Sequence, residues 1–185
     1  MVFQEFLAKL GKILTDLNVP YAITGGYAVS VWGRPRATFD IDVVIELFHP
    51  QTPALKNALQ SLSKLNYLDE GAMAEAVERA GEFNFIDSES GIKIDFWVAG
   101  KDETTKLELA RRIPETVAGQ MVYFISPEDL ILSKLRWHKE GGSTRHLEDI
   151  ESILKIQKSL DLDYLKKQAA KQSTLKILES LKPIH

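Results

Sequence analysis

The stretch that decides the fold runs from Thr24 to Ile45 and reads TGGYAVSVWGRPRATFDIDVVI. Its second half is rich in β-favouring residues, and its apolar and acidic positions alternate, which predicts a strand over Phe39–Leu47. Side chains two apart on a strand share a face, so Asp40 and Asp42 are expected to point the same way. The opposite face is expected to pack into the core through Phe39, Ile41, Val43 and Ile45.

A pair of glycines, Gly25 and Gly26, separates a predicted short strand at Tyr21–Thr24 from a predicted short helix over 27–32. Glycine lets the backbone approach a ligand closely, and N–H groups at a helix N-terminus favour anions. A phosphate cradle followed by two acids on one face of a strand is the combination that a nucleotide–metal site needs. Arg36, just before the acidic strand, could also meet phosphate, with pairing to a carboxylate as the alternative.

A third acid, Asp95, lies in the apolar segment Ile92–Val98, which we predict to form a hairpin with Glu82–Ile86 through the turn residues DSESG. If this segment neighbours the strand of Asp40 and Asp42, three carboxylates converge. Their mutual repulsion at separations of about 6 Å would cost about 8 kcal/mol at an effective dielectric near ~20, which a cation would offset. Such oxygen ligands suit Mg²⁺ or Mn²⁺. Alternatively, the acids simply face water on an edge strand.

The remaining pattern predicts helices and strands on both sides of this region. Helices are predicted over 2–17, 53–66, 72–80 and 103–111, strands over 113–118 and 121–125, and then only helices, over 127–139, 144–158, 161–171 and 173–182. The predicted fold class is α+β: a mixed β-sheet core with flanking helices and a C-terminal helical bundle. We expect a catalytic core over 1–125 and a helical subdomain packed on it over 126–185, with loop 140–144 as a hinge.

Two charged residues, Lys134 and Asp149, fall within the apolar arcs of their predicted helices. Burying either charge alone is costly, so we expect the two to pair, with Arg145 as the local alternative for Asp149. Lys134 could instead extend its ammonium into water along a packed stem. The apolar arcs comprise Leu130, Ile131 and Trp137 around Lys134, and Leu147, Ile150, Ile153, Leu154 and Ile156 around Asp149.

Composition excludes several classes of protein. The chain has no cysteine, which rules out disulfides, zinc–thiolate sites and thiol nucleophiles. No apolar stretch is long enough to cross a membrane, and a cytoplasmic location is expected. The net charge of −3 gives no global footprint for nucleic acid, although a local basic patch can operate on an acidic protein. Trp32, Trp97 and Trp137 are expected in the core, and His146 in a half-buried structural position.

Three motifs resemble those of a known group of enzymes. The run GGYAVSVWGRPRATFDIDVVI resembles the signature of the nucleotidyltransferase (DNA polymerase β-like) superfamily in its GG…DxD form. That form is seen in tRNA nucleotidyltransferases and in toxin-type nucleotidyltransferases of bacterial toxin–antitoxin and abortive-infection systems. KIDFW resembles the strand that carries the third acid, and PEDLILSKLRW with RHLEDI resembles the helical half of the toxin-type members.

The resemblance implies a role for each candidate residue. Gly25 and Gly26 would hold the triphosphate, although many members have Ser at the position of Gly26. The metal ligands would be Asp40, Asp42 and Asp95, the last also a possible base, with Lys134 as a phosphate ligand and Asp149 as a further active-site acid.

The implied reaction is metal-dependent transfer of a nucleoside monophosphate from a nucleoside triphosphate, such as ATP, to an acceptor hydroxyl, with release of pyrophosphate. One acceptor is the 3′ end of tRNA or another RNA, as in a toxin with a cognate antitoxin protein. A small molecule such as an aminoglycoside, or a protein side chain, is the second. The third interpretation is an inactive nucleotide-binding module.

Overall fold

The computed structural model describes residues 3–181, within which the chain forms a seven-stranded sheet and a set of helices. The strands are β1 (Tyr21–Thr24), β2 (Asp40–Ile45), β3 (Asn66–Leu68), β4 (Glu82–Asp87), β5 (Lys93–Val98), β6 (Ile113–Val117) and β7 (Gln120–Phe124). The helices are α1 (Phe3–Asp16), α2 (Gly25–Trp32), α3 (Thr52–Gln60), α4 (Glu70–Arg79), α5 (Glu103–Ala110), α6 (Pro127–Gly141), α7 (Thr144–Ile156), α8 (Leu162–Lys171) and α9 (Leu175–Ser180). The fold class is α+β, as predicted.

The chain divides into two compact units. The first contains the residues up to Tyr27 and Ala37–Ile125, and so holds the whole sheet. The second contains Ala28–Arg36 and the residues from Ser126 onward. Residues 28–36 were expected in the catalytic core over 1–125. In the structure this segment packs within the helical unit, where the Trp32 carbonyl accepts a 2.7 Å hydrogen bond from Gln157.

The sheet is mixed, with the strand order β3-β4-β5-β2-β1-β7-β6. Strand β2 pairs in parallel with β5 and antiparallel with β1, so the strand that carries Asp40 and Asp42 lies in the middle of the sheet. Strands β4 and β5 form the predicted antiparallel hairpin. The central position of β2 excludes the interpretation of its acids as edge-strand residues.

Alternation along β2 places its apolar residues in the core. Ile41, Val43 and Ile45 are fully buried, whereas Asp40 is exposed and Asp42 half-buried on the other face. The prediction for Phe39 was wrong, because its side chain is 76% exposed. The strand begins at Asp40, so Phe39 lies outside the pleat that would have directed it inward.

Strand β3 was not predicted from the sequence. A helix was expected over 53–66, but α3 ends at Gln60, and Asn66–Leu68 pairs antiparallel with β4. Three residues are too few to display a strand period, and local pairing decides their conformation. The predicted helix ends at residues 2 and 182 lie outside the described residues.

Helices α6 and α7 pack against each other in the helical unit, and α6 also packs against α8. Helix α6 begins as predicted, with the Ser126 hydroxyl accepting a 3.1 Å hydrogen bond from the Asp129 amide. Trp137 and Ile156 were expected inside but are 46% and 44% exposed, because each lies near the C-terminal end of its helix. No described helix is long and apolar enough to cross a membrane. The buried apolar positions include Leu130, Ile131, Leu135, Ile150 and Ile153.

Candidate active site

The register between β2 and β5 sets the position of the candidate acids. Asp42 lies opposite Asp95, and Asp40 lies opposite Lys93. All four residues share one face, since the residues between them, Ile41 and Ile94 among them, are fully buried. We call these four residues the carboxylate face.

Asp42 and Asp95 are direct neighbours on the carboxylate face. Asp40 lies one pleat further along β2, about 6.6–7 Å away along the strand. Across residues 3–181, no group of three acidic or histidine side chains is arranged closely enough to hold a metal ion. The arrangement is therefore a pair of neighbouring carboxylates with a third acid beside them.

Gly25 makes direct backbone contact with one of these acids. It has φ +62°, and a Cβ atom added there would lie 1.7 Å from Asp42 Oδ2, so no larger residue fits without moving the carboxylate. The predicted turn at Gly25-Gly26 is in fact the start of α2. The positive end of this helix therefore lies beside Asp42, a position that favours negative charge.

Lys93 is a member of the carboxylate face that the sequence analysis missed. Its ammonium lies 2.7 Å from Asp95 Oδ1. The hydrogen bond to Asp95 raises the pKa of Lys93, burial opposes this, and the charges of Asp95, Asp40 and Asp42 raise it further. The sequence Lys93-Ile94-Asp95 contained the information needed to predict this position, because residues two apart on a strand share a face.

A groove of about 450 Å³ adjoins Asp95 on the side of β4. The register places Asn84 opposite Asp95 and Glu82 opposite Trp97, so the amide and the indole border the candidate base. The lining of the groove also includes the exposed residues Tyr67 and Asp69. Aromatic rings, one amide, three carboxylates and the Lys93 ammonium line this groove, which gives it a net acidic and partly apolar character.

The helical unit contains a second charged cluster. Lys134 Nζ lies 3.1 Å from Asp149 Oδ2, with side-chain exposures of 8% and 6%, so the predicted pair forms. Arg36 joins it, with Nε 3.3 Å from Asp149 Oδ1, which is the carboxylate pairing considered as the alternative to a phosphate contact. Arg145 is exposed. We call Arg36, Lys134 and Asp149 the buried ion cluster.

His146 borders the buried ion cluster. Burial lowers its pKa most, and the charges of Lys134, His138 and Arg36 lower it further, while Asp149 opposes them. Within the described chain its Nδ1 atom is buried without a hydrogen-bond partner. The neutral imidazole is therefore favoured in the folded protein.

The fold is similar to that of several solved nucleotidyltransferases. The antibiotic-resistance factor ANT(2'')-Ia is 19% identical, with a TM-score of 0.62 over 96% of this chain and 95% of that chain. A nucleotidyltransferase-like antigen from Paracoccidioides brasiliensis is 19% identical, with a TM-score of 0.57 over 97% and 92%. The lincosamide antibiotic adenylyltransferase LnuA is 15% identical, with a TM-score of 0.58 over 84% and 99%.

Sequence comparison gives the family. No curated protein matches the chain. The family described as "Nucleotidyl transferase AbiEii toxin, Type IV TA system" matches residues 12–179, which include both the carboxylate face and the buried ion cluster. The chain therefore belongs to the AbiEii family of toxin-type nucleotidyltransferases.

Proposed function

We propose that this nucleotidyltransferase moves a nucleoside monophosphate from a nucleoside triphosphate to an acceptor hydroxyl, with release of pyrophosphate. The observation that carries the proposal is the contact of the Gly25 backbone with Asp42, itself the direct neighbour of Asp95. A glycine at the start of a helix and two adjacent carboxylates supply, at one place, the groups for phosphate and for a metal ion. Gly26 extends the same backbone segment.

A divalent cation fits the carboxylate face by charge and by ligand chemistry. Three carboxylates and one ammonium leave a net charge of −2, and Asp42 and Asp95 offer hard oxygen atoms at neighbouring positions. Mg²⁺ or Mn²⁺ would be held by these two, with Asp40 contributing, and would supply neutralisation of charge on the transferring phosphoryl group.

The protein's own side chains divide the remaining work. Asp95 would orient the acceptor hydroxyl and accept its proton, since it borders the open groove. The Gly25 and Gly26 backbone would hold the triphosphate. Lys134 and Arg36 carry one positive charge more than Asp149 neutralises, which supports binding of phosphate oxygen atoms by this cluster. Asp149 would then hold both cations in position.

The first candidate acceptor is the 3′ end of an RNA, tRNA in particular, with a cognate antitoxin protein as the partner that restrains the enzyme. The support is the toxin description of the family. The net charge of −2 that is left on the carboxylate face after Lys93 is counted argues against an inactive nucleotide-binding module, because uncompensated like charges at close range are unfavourable without a further cation.

A second candidate acceptor is a small hydroxyl compound that carries positive charge. The groove beside Asp95 favours it, since Asp69 and Glu82 would repel a polyanion, whereas Trp97 and Tyr67 could pack against a ring. Two solved proteins of similar fold have been described with antibiotics bound, ANT(2'')-Ia with adenylyl-2''-tobramycin and LnuA with lincomycin. An amino-sugar antibiotic is therefore the matched probe for this alternative.

The deciding experiment is incubation with each α-labelled nucleoside triphosphate, Mg²⁺, and either total RNA or tobramycin, followed by identification of the labelled species. Label on RNA supports the first acceptor, and label on tobramycin supports the second. Asp42→Asn serves as the blank. No labelled product, together with no rise in melting temperature on adding nucleotide and Mg²⁺, would overturn the proposal. A ligand at 100 times its dissociation constant adds about 2.7 kcal/mol, which a melting curve detects.

A further inference from the structure

Lys93 occupies a position on the carboxylate face where a cation is needed. It lies two residues before Asp95 on β5 and opposite Asp40 on β2, so three carboxylates surround its side of the sheet. Its other cross-strand neighbour, on β4, is the apolar Ile86. The ammonium lies 2.7 Å from Asp95 Oδ1, and the two side chains are 39% and 21% exposed, so water does not fully screen the pair.

We propose that Lys93 is a built-in counter-cation that makes the carboxylate face select the metal–nucleotide complex over the free metal ion. The inference rests on the proposed function and adds a positioning residue to it. In the nucleotide-free enzyme Lys93 balances part of the acidic charge and holds Asp95. A divalent cation that arrives alone meets this ammonium on the same carboxylate, and like charges at such separations repel.

A metal ion that arrives with a nucleoside triphosphate brings anionic oxygen atoms with it. These give the Lys93 ammonium a new partner, so it can leave Asp95 while remaining paired. Lys93 thereby couples occupation of the metal position to the presence of nucleotide. The same charge that weakens binding of the bare ion strengthens binding of the complex.

The test measures melting temperature as a function of Mg²⁺ concentration, with and without a non-hydrolysable nucleoside triphosphate analogue, for wild type, Lys93→Gln and Lys93→Arg. For Lys93→Gln we expect the rise in melting temperature with Mg²⁺ alone to begin at about tenfold lower Mg²⁺ concentration, since one opposing charge is removed. The additional stabilisation from nucleotide should shrink in the same variant. Lys93→Arg keeps the charge and should resemble wild type. Lys93→Met, which keeps the packed stem, serves if Lys93→Gln does not fold.

Lys56→Gln is the matched control. It removes an ion pair of the same length, 2.7 Å to Glu70, from outside the carboxylate face. It should lower stability slightly and leave the Mg²⁺ dependence unchanged.

Equal Mg²⁺ dependence in Lys93→Gln and wild type, or a retained effect of nucleotide, would overturn the role of Lys93 while leaving the proposed function standing. Absence of any Mg²⁺ or nucleotide response in wild type and all variants would overturn the proposed function itself, and this inference with it.

Discussion

The carboxylate face of the sheet and the buried ion cluster of the helical unit both pair aspartate with lysine, but their balance of charge is opposite. On the sheet, the one ammonium of the carboxylate face pairs with Asp95, and Asp40 and Asp42 lie on the same face, partly open to water. In the helical unit, two cations share Asp149, whose side chain is 6% exposed. The first cluster has an excess of negative charge that suits a metal ion, and the second an excess of positive charge that suits an anion.

The comparison also separates two energetic regimes. Partly exposed charges interact weakly and can be rearranged at low cost, whereas a buried charge that loses its partner destabilises the fold strongly. Substitutions on the carboxylate face should therefore change activity with little change in stability. Substitutions in the buried ion cluster should change stability as well, whatever their effect on activity.

The largest expected effect is loss of transfer in Asp42→Ala, with Asp40→Ala in the same class. Removing a proposed metal ligand should lower turnover by about a thousandfold or more, since electrostatic stabilisation is a dominant catalytic term. The melting temperature should stay the same or rise slightly, because repulsion between neighbouring acids is relieved. Glu115→Ala, on another strand of the same sheet, is the control. Near-normal turnover in a folded Asp42→Ala protein would refute the metal-site assignment.

The second-largest expected effect, at Gly25, distinguishes the cost of a strained backbone from the effect of contact with the candidate active site. Gly25 has φ +62° and Gly91 has φ +73°, but only at Gly25 would an added Cβ meet an acid, whereas nothing lies within 4 Å at Gly91. Substitution by alanine should lower the free energy of unfolding by about 1 kcal/mol at either position, because a side chain disfavours a positive φ. Gly25→Ala should in addition displace Asp42 and lower turnover by about a hundredfold. Equal turnover in the two variants would show that the contact with Asp42 has no role in the reaction.

Asp149→Asn tests the effect of removing a charge from the buried ion cluster. The Lys134 and Arg36 cations would both lose their partner, so we expect a loss of about 3–5 kcal/mol in unfolding free energy. The sequence predicted one cationic partner for Asp149, either Lys134 or Arg145. The structure gives it two, Lys134 and Arg36, so the substitution leaves both cations of the buried ion cluster without their partner.

Kinetics at a permissive temperature then decide the role of the buried ion cluster. A fall in turnover of about a hundredfold supports phosphate binding by the cations that Asp149 positions, on the scale of a lost charged contact. Turnover within a few-fold of wild type would make the cluster structural. Glu148→Gln, on the exposed side of the same helix, should change neither quantity.

Features of the site that depend on neighbouring residues could be predicted from the sequence, whereas features that depend on contacts between distant segments could not. Pleat alternation is local, so the shared face of Asp40 and Asp42 could be predicted from five letters. The neighbouring position of Asp95 required β2 and β5 to be adjacent, which a single sequence does not determine. The Lys134–Asp149 pair could be predicted because burial of a charge demands a partner. Arg36 was left open between phosphate and carboxylate, since its partner lies 113 residues away.

The parts that sequence reasoning missed depend on pairing and on helix ends. Strand β3 has three residues and no readable period, and its conformation is set by its partner β4. Phe39 and Trp137 were expected in the core from strand alternation and from an apolar helical arc, yet Phe39 lies just before β2 and Trp137 near the C-terminal end of α6. Lys93 was predictable from the sequence, since a lysine two residues from Asp95 on a strand must share its face.

The smallest expected effect is a pH dependence of stability that arises beside the buried ion cluster. Burial and the charges of Lys134, His138 and Arg36 lower the pKa of His146 in the folded protein, with Asp149 opposing. A group whose folded pKa is depressed contributes stability that is present above its ordinary value of about 6.5 and is lost as pH falls below it. The melting temperature of wild type should therefore fall more between roughly pH 7.5 and pH 5 than that of His146→Gln. His49→Gln, at an exposed histidine, should follow wild type. An equal loss in His146→Gln and wild type would show that the acid sensitivity arises elsewhere.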